Sequence, residues 1–133
     1  IVSLAMIDID FFKKVNDTYG HPIGDQVICS LSRLLRDRLR RSDMIGRYGG
    51  EEFAVVLSDT DAASAVATLE EIRALFCTIQ HQSGSGTFTS SFSTGIVDTT
   101  THFDVETMFK AADAALYDAK HAGRNCIRRA QRV

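Results

Sequence analysis

A pair of adjacent glycines between two apolar runs restricts the fold of this chain more than any other segment. Gly49 and Gly50 follow the apolar residues 44–45 and precede the apolar run 53–57. Because glycine takes the positive φ angles that a two-residue turn needs, this pattern predicts a tight β-hairpin. Two glutamates come directly after the glycines, and like charges side by side at a strand start repel each other unless a cation neutralises them. The segment is therefore either a solvated turn or a hairpin that carries a metal or phosphate site.

A second set of carboxylates lies at the end of the first apolar run. Residues 1–9 are apolar almost throughout, as in a central strand covered on both faces, and Asp8 and Asp10 stand at the end of this run. An aspartate there, facing Glu51 and Glu52 of the hairpin, would supply the hard oxygen ligands that Mg²⁺ takes together with substrate phosphates. The alternative is that Asp8 and Asp10 only cap the helix that follows.

Composition describes one globular domain whose partner is a small molecule rather than a polymer. Of the 133 residues, 44% are hydrophobic and 24% are charged, which suits a packed core and excludes a disordered chain. The net charge is −2, whereas chains that bind a nucleic acid backbone are usually basic. The predicted partner is therefore a small nucleotide. No apolar run approaches the roughly 18 residues of a membrane span and no signal peptide is visible, so we expect no membrane contact by this domain.

Three cysteines indicate a reducing compartment. Cys29, Cys77 and Cys126 are odd in number and widely spaced, without a Cys-x-x-Cys pair. The pattern therefore argues against a zinc site and against a disulfide framework. We expect free thiols, buried or partly buried, in a reducing cytosol.

Apolar periodicity predicts the order strand, helix, helix, hairpin, helix, strand, helix, strand. The predicted helices cover residues 11–19, 22 to about 39, 62–79 and 105 to just before Gly123, and the later strands cover 87–97 and 126–129, with a flexible loop at 83–86. Asp61 and Asp104 are the expected N-caps of the last two helices. This order indicates an α+β domain, and no repeat or second domain is visible.

Four motifs occur in one register along the chain. They are DIDFFK at residues 8–13, NDTYGH at 16–21 with GD at 24–25, RYGGEEF at 47–53, and AADAALY at 111–117 followed by AK and GRN up to residue 125. In order and spacing, over nearly the whole chain, they resemble the GGDEF domain of bacterial diguanylate cyclases. The resemblance implies the ferredoxin-like core of nucleotidyl cyclases and polymerase palms, with a central, mostly antiparallel sheet flanked by helices. In that core the first strand lies beside the hairpin, which would bring Asp8 and Glu51 to one edge of the sheet.

Family members normally carry a D-x-L-T-G-L-x-N-R type segment before the first strand, and this sequence lacks it. The resemblance therefore implies that residues 1–133 are a GGDEF domain trimmed at its N-terminus. It also implies that a sensor or regulatory region precedes this domain in the full protein. The expected location is the bacterial cytoplasm, with any membrane anchor in the preceding region.

The reaction of the family joins two GTP into cyclic di-GMP and releases two pyrophosphates, each step being the attack of a ribose 3′-hydroxyl on an α-phosphate. Such a step needs a deprotonated hydroxyl, a neutralised phosphoryl charge and two nucleotides held in line. The resemblance assigns the metal, Mg²⁺ or Mn²⁺, to Asp8, Glu51 and the carbonyl of Ile9. It gives Glu52 and Lys13 catalytic roles beside Glu51, with Glu52 as a further ligand or as the proton acceptor. Because one domain binds one GTP, catalysis needs a homodimer.

The resemblance also implies a GTP-binding site around the metal. Its residues are Phe11, Phe12, Lys13, Lys120 and Arg124 for the phosphates, Asn16 and Asp25 for guanine, His21 near the base or ribose, and Gly49 and Gly50 where the nucleotide crosses the hairpin. Free N–H groups at a helix start bind phosphate, and Lys120 and Arg124, four residues apart at a helix end, are expected to point the same way. Without the motifs, the cations would be ordinary surface charges.

Arg40 and Asp43 match the R-x-x-D inhibitory site at which the family binds its product, cyclic di-GMP, and the alternative is a solvated helix end. Many members carry an arginine in the third helix that contributes to this site from a neighbouring domain, but Glu71 stands there in this chain. A carboxylate repels the phosphates of cyclic di-GMP, and Arg73 faces away from Glu71 on the helix. We therefore expect bound product but weak cross-linking of two domains.

Three functions remain open from the sequence. The first is an active diguanylate cyclase with product feedback inhibition. The second is a catalytically weak domain that acts as a receptor for GTP or cyclic di-GMP, against which the intact Asp8, Glu51 and Lys120 argue. The third is a nucleotidyl cyclase or polymerase-like enzyme with another product, against which Asn16 and Asp25 argue because they are the family's guanine readers.

Overall fold

A computed structural model of the chain describes residues 1–131. Its elements are β1 (Val2–Ile9), α1 (Phe12–Tyr19), α2 (His21–Arg38), β2 (Met44–Arg47), β3 (Glu52–Ser58), α3 (Ala62–Phe76), β4 (His81–Ser83), β5 (Gly86–Phe88), β6 (Phe92–Asp98), α4 (Val105–His121) and β7 (Ile127–Arg129). Asp61 and Asp104 cap α3 and α4 through hydrogen bonds from backbone N–H groups, as predicted. Within the described residues, no helix combines the length and the apolar character needed to cross a membrane.

The main sheet has five strands in the order β2-β3-β1-β6-β7. The β1–β3, β1–β6 and β2–β3 pairs are antiparallel, and only the short edge strand β7 runs parallel to its neighbour β6. A separate two-stranded sheet joins β4 and β5. The predicted α+β fold, with a central and mostly antiparallel sheet flanked by helices, is therefore confirmed.

The central strand β1 is buried on both faces, because alternate residues of a strand point to opposite sides of its sheet. Ala5 and Ile7 belong to the larger core, which contains residues of α1, α2 and α3. Leu4 and Met6 belong to a second core under α4. The two cores hold the end of β1 rigidly between helices on either side.

Close approach between α4 and β6 depends on Gly95. A Cβ atom on Gly95 would lie 2.1 Å from the carbonyl oxygen of Ala112 in α4, so any larger residue would push the helix away from the sheet. The end of α4 carries Lys120. Close packing here therefore decides where that lysine stands relative to β1.

The hairpin between β2 and β3 differs from the predicted two-residue turn. Arg47 pairs with Phe53, and the N–H of Tyr48 donates to the carbonyl of Glu52 at 2.9 Å, which leaves three residues in the turn. Neither Gly49 nor Gly50 takes a positive φ angle. The reason is that the carbonyl of Glu51 accepts a hydrogen bond from β1, so this residue belongs to the turn that meets β1 and not to a tight hairpin.

The predicted strand at residues 87–97 is confirmed from Phe92 onward, but its first residues belong to a separate short strand, β5. Residues of the predicted flexible loop form the small β4–β5 hairpin, and β6 begins only at Phe92. The Phe88 ring stacks on Tyr19 of α1 at 4.1 Å between centroids, which draws β5 away from the main sheet. Cys29 is exposed, contrary to the prediction, while Cys77 and Cys126 are partly buried free thiols as expected.

Candidate active site

Three elements meet at the carboxyl end of β1. Asp8 faces Glu52 of β3 in the sheet register, and the N–H of Ile9 donates to the carbonyl of Glu51 at 3.2 Å. Lys120, in the last turn of α4, places its Nζ 2.5 Å from Oδ2 of Asp8. Asp8 is only 6% exposed, so this ion pair neutralises a largely desolvated carboxylate. We call this region, formed by Asp8, Glu51, Glu52 and Lys120, the acidic corner.

The acidic corner holds more negative than positive charge. Burial raises the pKa of the Glu52 carboxyl above its usual range, and the charge of Asp8 raises it further, whereas Lys120 lowers it. The carboxylates of Glu51 and Asp113 also raise this pKa. Several carboxylates therefore share one ammonium group, and such an arrangement attracts a further cation.

The oxygen donors of the acidic corner fit Mg²⁺ or Mn²⁺, because these hard cations take carboxylate and carbonyl oxygens. The residues assigned to the metal from the sequence, Asp8, Ile9 and Glu51, all lie at this corner. Within residues 1–131, no three or more His, Cys, Asp or Glu side chains are arranged as a metal site. A bound metal would therefore need a backbone carbonyl and substrate phosphates to complete its ligands.

The start of α1 offers backbone donors next to the acidic corner. Phe11 precedes this helix in the left-handed region, with φ 55° and ψ 33°, and no side chain caps the first turn. The first N–H groups of a helix have no partner inside it, so those around Phe12 and Lys13 are open to an anion. The side chain of Lys13 is 93% exposed and pairs loosely with Asp17 at 3.9 Å. The Lys13 side chain, predicted to contact phosphate, is thus exposed to solvent.

Arg124 lies beyond the end of α4, so the helical i, i+4 spacing used to align it with Lys120 does not apply. The helix ends at His121, and Gly123 then turns the chain with φ 110°. The N–H of Arg124 donates to the carbonyl of Ala119 at 3.0 Å, which folds the chain back towards β1. The guanidinium carbon of Arg124 lies 4.8 Å from the centroid of the exposed Phe11 ring. Arg124 therefore still stands beside the start of α1.

The residues assigned to guanine lie where α1 meets α2. Gly24 allows this contact, because a Cβ there would lie 1.9 Å from Oδ1 of Asn16 and 3.2 Å from the Phe12 ring. That Asn16 oxygen is buried and has no hydrogen-bond partner in the chain. Asp25 and His21 are exposed at the start of α2. The structure thus brings a polar side chain that lacks a partner close to an exposed carboxylate.

The glycines of the hairpin are not required by the fold. A Cβ on Gly50 would meet no atom within 4 Å, and one on Gly49 would meet Oε2 of Glu52 at 3.4 Å, an ordinary contact. Both residues are exposed and neither has a positive φ. Any need for glycine at these positions therefore arises from something outside the chain.

The R-x-x-D residues pair with each other in this structure. Nη2 of Arg40 lies 3.3 Å from Oδ1 of Asp43, and it also donates to the carbonyl of Ser58 and to Oγ1 of Thr60. The side chain of Asp43 is 2% exposed and accepts a further hydrogen bond from the N–H of Ser58 at 3.2 Å. Asp43 therefore ties the segment before β2 to the end of β3, while Arg40 remains partly exposed.

Glu71 has a partner that the sequence did not suggest. Its Oε1 lies 2.5 Å from Nη2 of Arg38, which joins α3 to the end of α2. Arg38 also lines a groove of about 350 Å³ together with Arg40 and Asp43. The carboxylate at position 71 is thus partly neutralised by an arginine that lines the same groove as the R-x-x-D residues.

Asp10 has a structural role that neither sequence-based alternative, a metal site or a helix cap, described. It does not cap α1; its carboxylate accepts hydrogen bonds from the hydroxyl groups of Ser91 and Ser93 and from the backbone N–H of Asn125. Asp8 and Asp10 are two residues apart, a spacing that places side chains on one face of a strand. This spacing could have indicated from the sequence that Asp10 continues the strand and packs against its neighbours instead of capping α1.

Comparisons with known proteins agree with this geometry. The chain matches the family model of the diguanylate cyclase GGDEF domain over residues 1–126. It is 42% identical over 124 residues to the probable diguanylate cyclase DgcC of Escherichia coli K12, an alignment that covers 92% of this chain and 33% of that protein. It is 41% identical over 136 residues to the response regulator PleD of Caulobacter vibrioides, covering 95% of this chain and 28% of that protein. The chain thus spans about a third of the length of these curated relatives.

A solved structure shares the fold closely. The GGDEF domain of DgcB from Caulobacter crescentus, determined in complex with c-di-GMP, superposes with a TM-score of 0.91 at 35% identity, and the match covers 97% of this chain and 77% of that one. Fold and acidic corner together define a domain of the nucleotidyl cyclase class. Within that class, the chain belongs to the GGDEF family of diguanylate cyclase domains.

Proposed function

We propose that this domain condenses two molecules of GTP into cyclic di-GMP and releases two pyrophosphates. The observation that carries the proposal is the acidic corner, where Asp8, Glu51 and Glu52 meet Lys120 beside the open first turn of α1. A carboxylate group next to phosphate-binding donors suits phosphoryl transfer, which depends on charge neutralisation and positioning. The relatives named as diguanylate cyclases support the same reaction.

Binding of GTP would use residues on both sides of α1. The backbone N–H groups at Phe12 and Lys13, with the cations of Lys13, Lys120 and Arg124, would hold the phosphates. Asn16 and Asp25 would read the guanine base, since a carboxylate accepts from both the N1–H and the 2-amino group of guanine. His21 would lie near the base or the ribose. The exposed Gly49 and Gly50 would leave room for the nucleotide to cross the hairpin.

The acidic corner would supply the chemistry at the α-phosphate. Asp8, Glu51 and the carbonyl of Ile9 would hold Mg²⁺ or Mn²⁺, which supplies Lewis-acid neutralisation of the phosphoryl charge and promotes ionisation of the 3′-hydroxyl. Glu52, whose pKa is raised by burial and by Asp8, is placed to accept a proton. Two domains would face each other as a homodimer, because each contributes one GTP. We place the reaction in the bacterial cytoplasm.

Product inhibition at Arg40 and Asp43 is part of the proposal. Arg40 already donates to several oxygens, and its side chain is 56% exposed, so its guanidinium can turn towards a phosphate or a guanine. Binding there would replace the Arg40–Asp43 contact. The nearby groove beside Arg38 provides space for a ligand.

The test is to incubate the domain with GTP and Mg²⁺ and to separate the nucleotides by chromatography. We expect cyclic di-GMP and pyrophosphate, with a rate per domain that rises with protein concentration because dimers form. Asp8→Asn is the matched inactive control. Binding of GTP or cyclic di-GMP without any product would refute the enzyme and establish a receptor domain, and a different cyclic or linear product would refute the stated specificity.

A further inference from the structure

The loop between α4 and β7 has an unusual backbone. Three consecutive residues, Gly123, Arg124 and Asn125, take positive φ angles of 110°, 64° and 48°. Residues with a side chain rarely adopt this region, and they keep it where surrounding contacts hold them. We call residues 122–126 the α4–β7 loop.

Asp10 supplies the central contact to this loop. Oδ2 of Asp10 accepts a hydrogen bond from the backbone N–H of Asn125 at 3.0 Å and another from the hydroxyl of Ser91 at 2.6 Å. Oδ1 accepts from the hydroxyl of Ser93, also at 2.6 Å. Asp10 is 3% exposed, and its own N–H donates to the carbonyl of Ser91. The carboxylate is therefore fixed to the start of β6 and holds the loop at one backbone atom.

Arg73 holds the same loop from the other side. Its Nη1 donates to Oδ1 of Asn125 at 2.8 Å, and its guanidinium is in turn bound by Glu70 one turn earlier on α3. The side chain of Arg73 is 19% exposed. Asn125 is thus held at its backbone by Asp10 and at its side chain by Arg73.

These anchors determine where Arg124 stands. Asp10 is followed directly by Phe11, and Asn125 is preceded directly by Arg124. The hydrogen bond between Asp10 and Asn125 therefore joins two chain segments right beside a contacting pair, Phe11 and Arg124. In that pair, the guanidinium carbon of Arg124 lies 4.8 Å from the centroid of the Phe11 ring. Other backbone bonds tie the loop to α4 and β6, since the N–H of Arg124 donates to the carbonyl of Ala119 and the N–H of Thr94 donates to the carbonyl of Cys126. The Asp10 bond ties the loop to the residue directly before Phe11.

We infer that Asp10 is a positioning residue: it holds the α4–β7 loop so that Arg124 stays beside the first turn of α1 and faces the β- and γ-phosphates of the nucleotide. The inference rests on the proposed function for the role of Arg124, and Asp10 itself touches no substrate. Asp10 acts by pre-organisation, since a loop fixed in its binding conformation loses less freedom when the ligand binds.

The test compares two nucleotides that differ in what Arg124 can touch. One is 3′-deoxy-GTP, which lacks the attacking hydroxyl and cannot be condensed, and the other is GMP, which lacks the β- and γ-phosphates. Affinities are measured by calorimetry with Mg²⁺ for the unmodified chain, Asp10→Ala, Asp10→Asn, Arg124→Ala and the Asp10→Ala/Arg124→Ala double variant. Thermal unfolding of each variant checks the fold.

We expect Asp10→Ala to lower the affinity for 3′-deoxy-GTP about tenfold, as for a lost charge-assisted contact. The affinity for GMP should change less than about twofold. Asp10→Asn keeps an oxygen for the Asn125 N–H and should restore most of the affinity. In the Arg124→Ala background, Asp10→Ala should have no further effect, because two residues acting through one contact are not additive. An equal loss for GMP, or effects of the two substitutions that multiply, would overturn the inference.

Arg73→Ala carries the test if Asp10→Ala does not fold. We expect a smaller loss, again confined to 3′-deoxy-GTP, and an unchanged affinity for that nucleotide would count against the inference. Failure of the proposed function has a different signature. If the unmodified chain binds 3′-deoxy-GTP but makes no cyclic dinucleotide from GTP, the proposed reaction fails and the role of Asp10 stands; if it does not bind 3′-deoxy-GTP, both fail.

Discussion

Gly24→Ala should damage nucleotide recognition while leaving the fold intact. The new Cβ would lie 1.9 Å from Oδ1 of Asn16, whereas Cβ contacts are essentially never found under 3.0 Å. The oxygen must therefore move by about 1.1 Å, the difference between those two distances. The atom that moves is the end of a flexible side chain, and Phe12, at 3.2 Å, has to yield only slightly.

Gly24→Ala changes the free energy of unfolding in two opposite ways, through helix propensity and through displacement of the Asn16 side chain. Alanine is favoured over glycine inside a helix by about 0.8–1.0 kcal/mol. Moving Oδ1 of Asn16 breaks no hydrogen bond within the chain, because that atom has no partner there. The net change in unfolding free energy should therefore stay within about 1 kcal/mol. Each hydrogen bond lost between Asn16 and guanine should cost about 1 kcal/mol, or roughly a fivefold loss of affinity.

The assay is calorimetric binding of 3′-deoxy-GTP and 3′-deoxy-ATP, together with thermal unfolding. Gly46→Ala is the matched control, because a Cβ at Gly46 would meet nothing within 4 Å. We expect Gly24→Ala to lower the affinity for the guanine nucleotide alone, with Gly46→Ala unchanged. An unaltered affinity, or an equal loss for both nucleotides, would refute the assignment of Asn16 to the base.

Asp8→Asn should lower the rate of cyclic di-GMP formation by about 100-fold or more, because it removes a charged oxygen ligand. The circular dichroism spectrum should stay unchanged, because the side-chain volume is kept. Near-normal turnover would contradict the metal assignment. Asp25→Ala should relax the preference for GTP over ATP in competition assays without lowering the melting temperature, since Asp25 is exposed. Arg40→Ala should abolish inhibition by cyclic di-GMP in steady-state assays and lower stability by about 1 kcal/mol, because hydrogen bonds to Thr60 and Ser58 are lost. Glu71→Arg should bind cyclic di-GMP more tightly in calorimetry at fixed salt, because a repulsive carboxylate becomes a cation; no change or weaker binding would show that position 71 does not face the product.

The helices and the central strand β1 were predictable from the sequence because their signals are local. The buried run of β1 and the caps Asp61 and Asp104 depend on neighbouring residues only. The hairpin turn was not predictable from its glycines, since its length depends on the carbonyl of Glu51 pairing with Ile9 in another strand. The β4–β5 hairpin was missed for the same reason: the ring of Phe88 leaves the sheet to stack on a tyrosine about seventy residues earlier.

The candidate site likewise contains features that the sequence predicted and features that it did not. The motifs indicated which residues gather near the end of β1, yet they did not indicate the contacts among them. Asp43 was assigned to product binding from its motif alone, which gave no sign that its side chain is buried and bonded to the backbone of β3. Arg124 was aligned with Lys120 by helical spacing, but the turn at Gly123 places it outside the helix. A contact with another strand decides the position of Asp43, and the turn at Gly123 decides that of Arg124. Apolar periodicity carries no information on either feature.

Lys120 shows how one residue can satisfy both the prediction and the observed contact. The sequence assigned it to substrate phosphates, and the structure places its ammonium on Oδ2 of Asp8. A carboxylate that is 6% exposed needs a counter-charge, and in the chain alone Lys120 provides it. A cation bound by Asp8 would supply that counter-charge instead, and Lys120, 28% exposed, would be free to approach a phosphate. We therefore propose that the ion pair and the phosphate contact of Lys120 are two states of the same electrostatic balance.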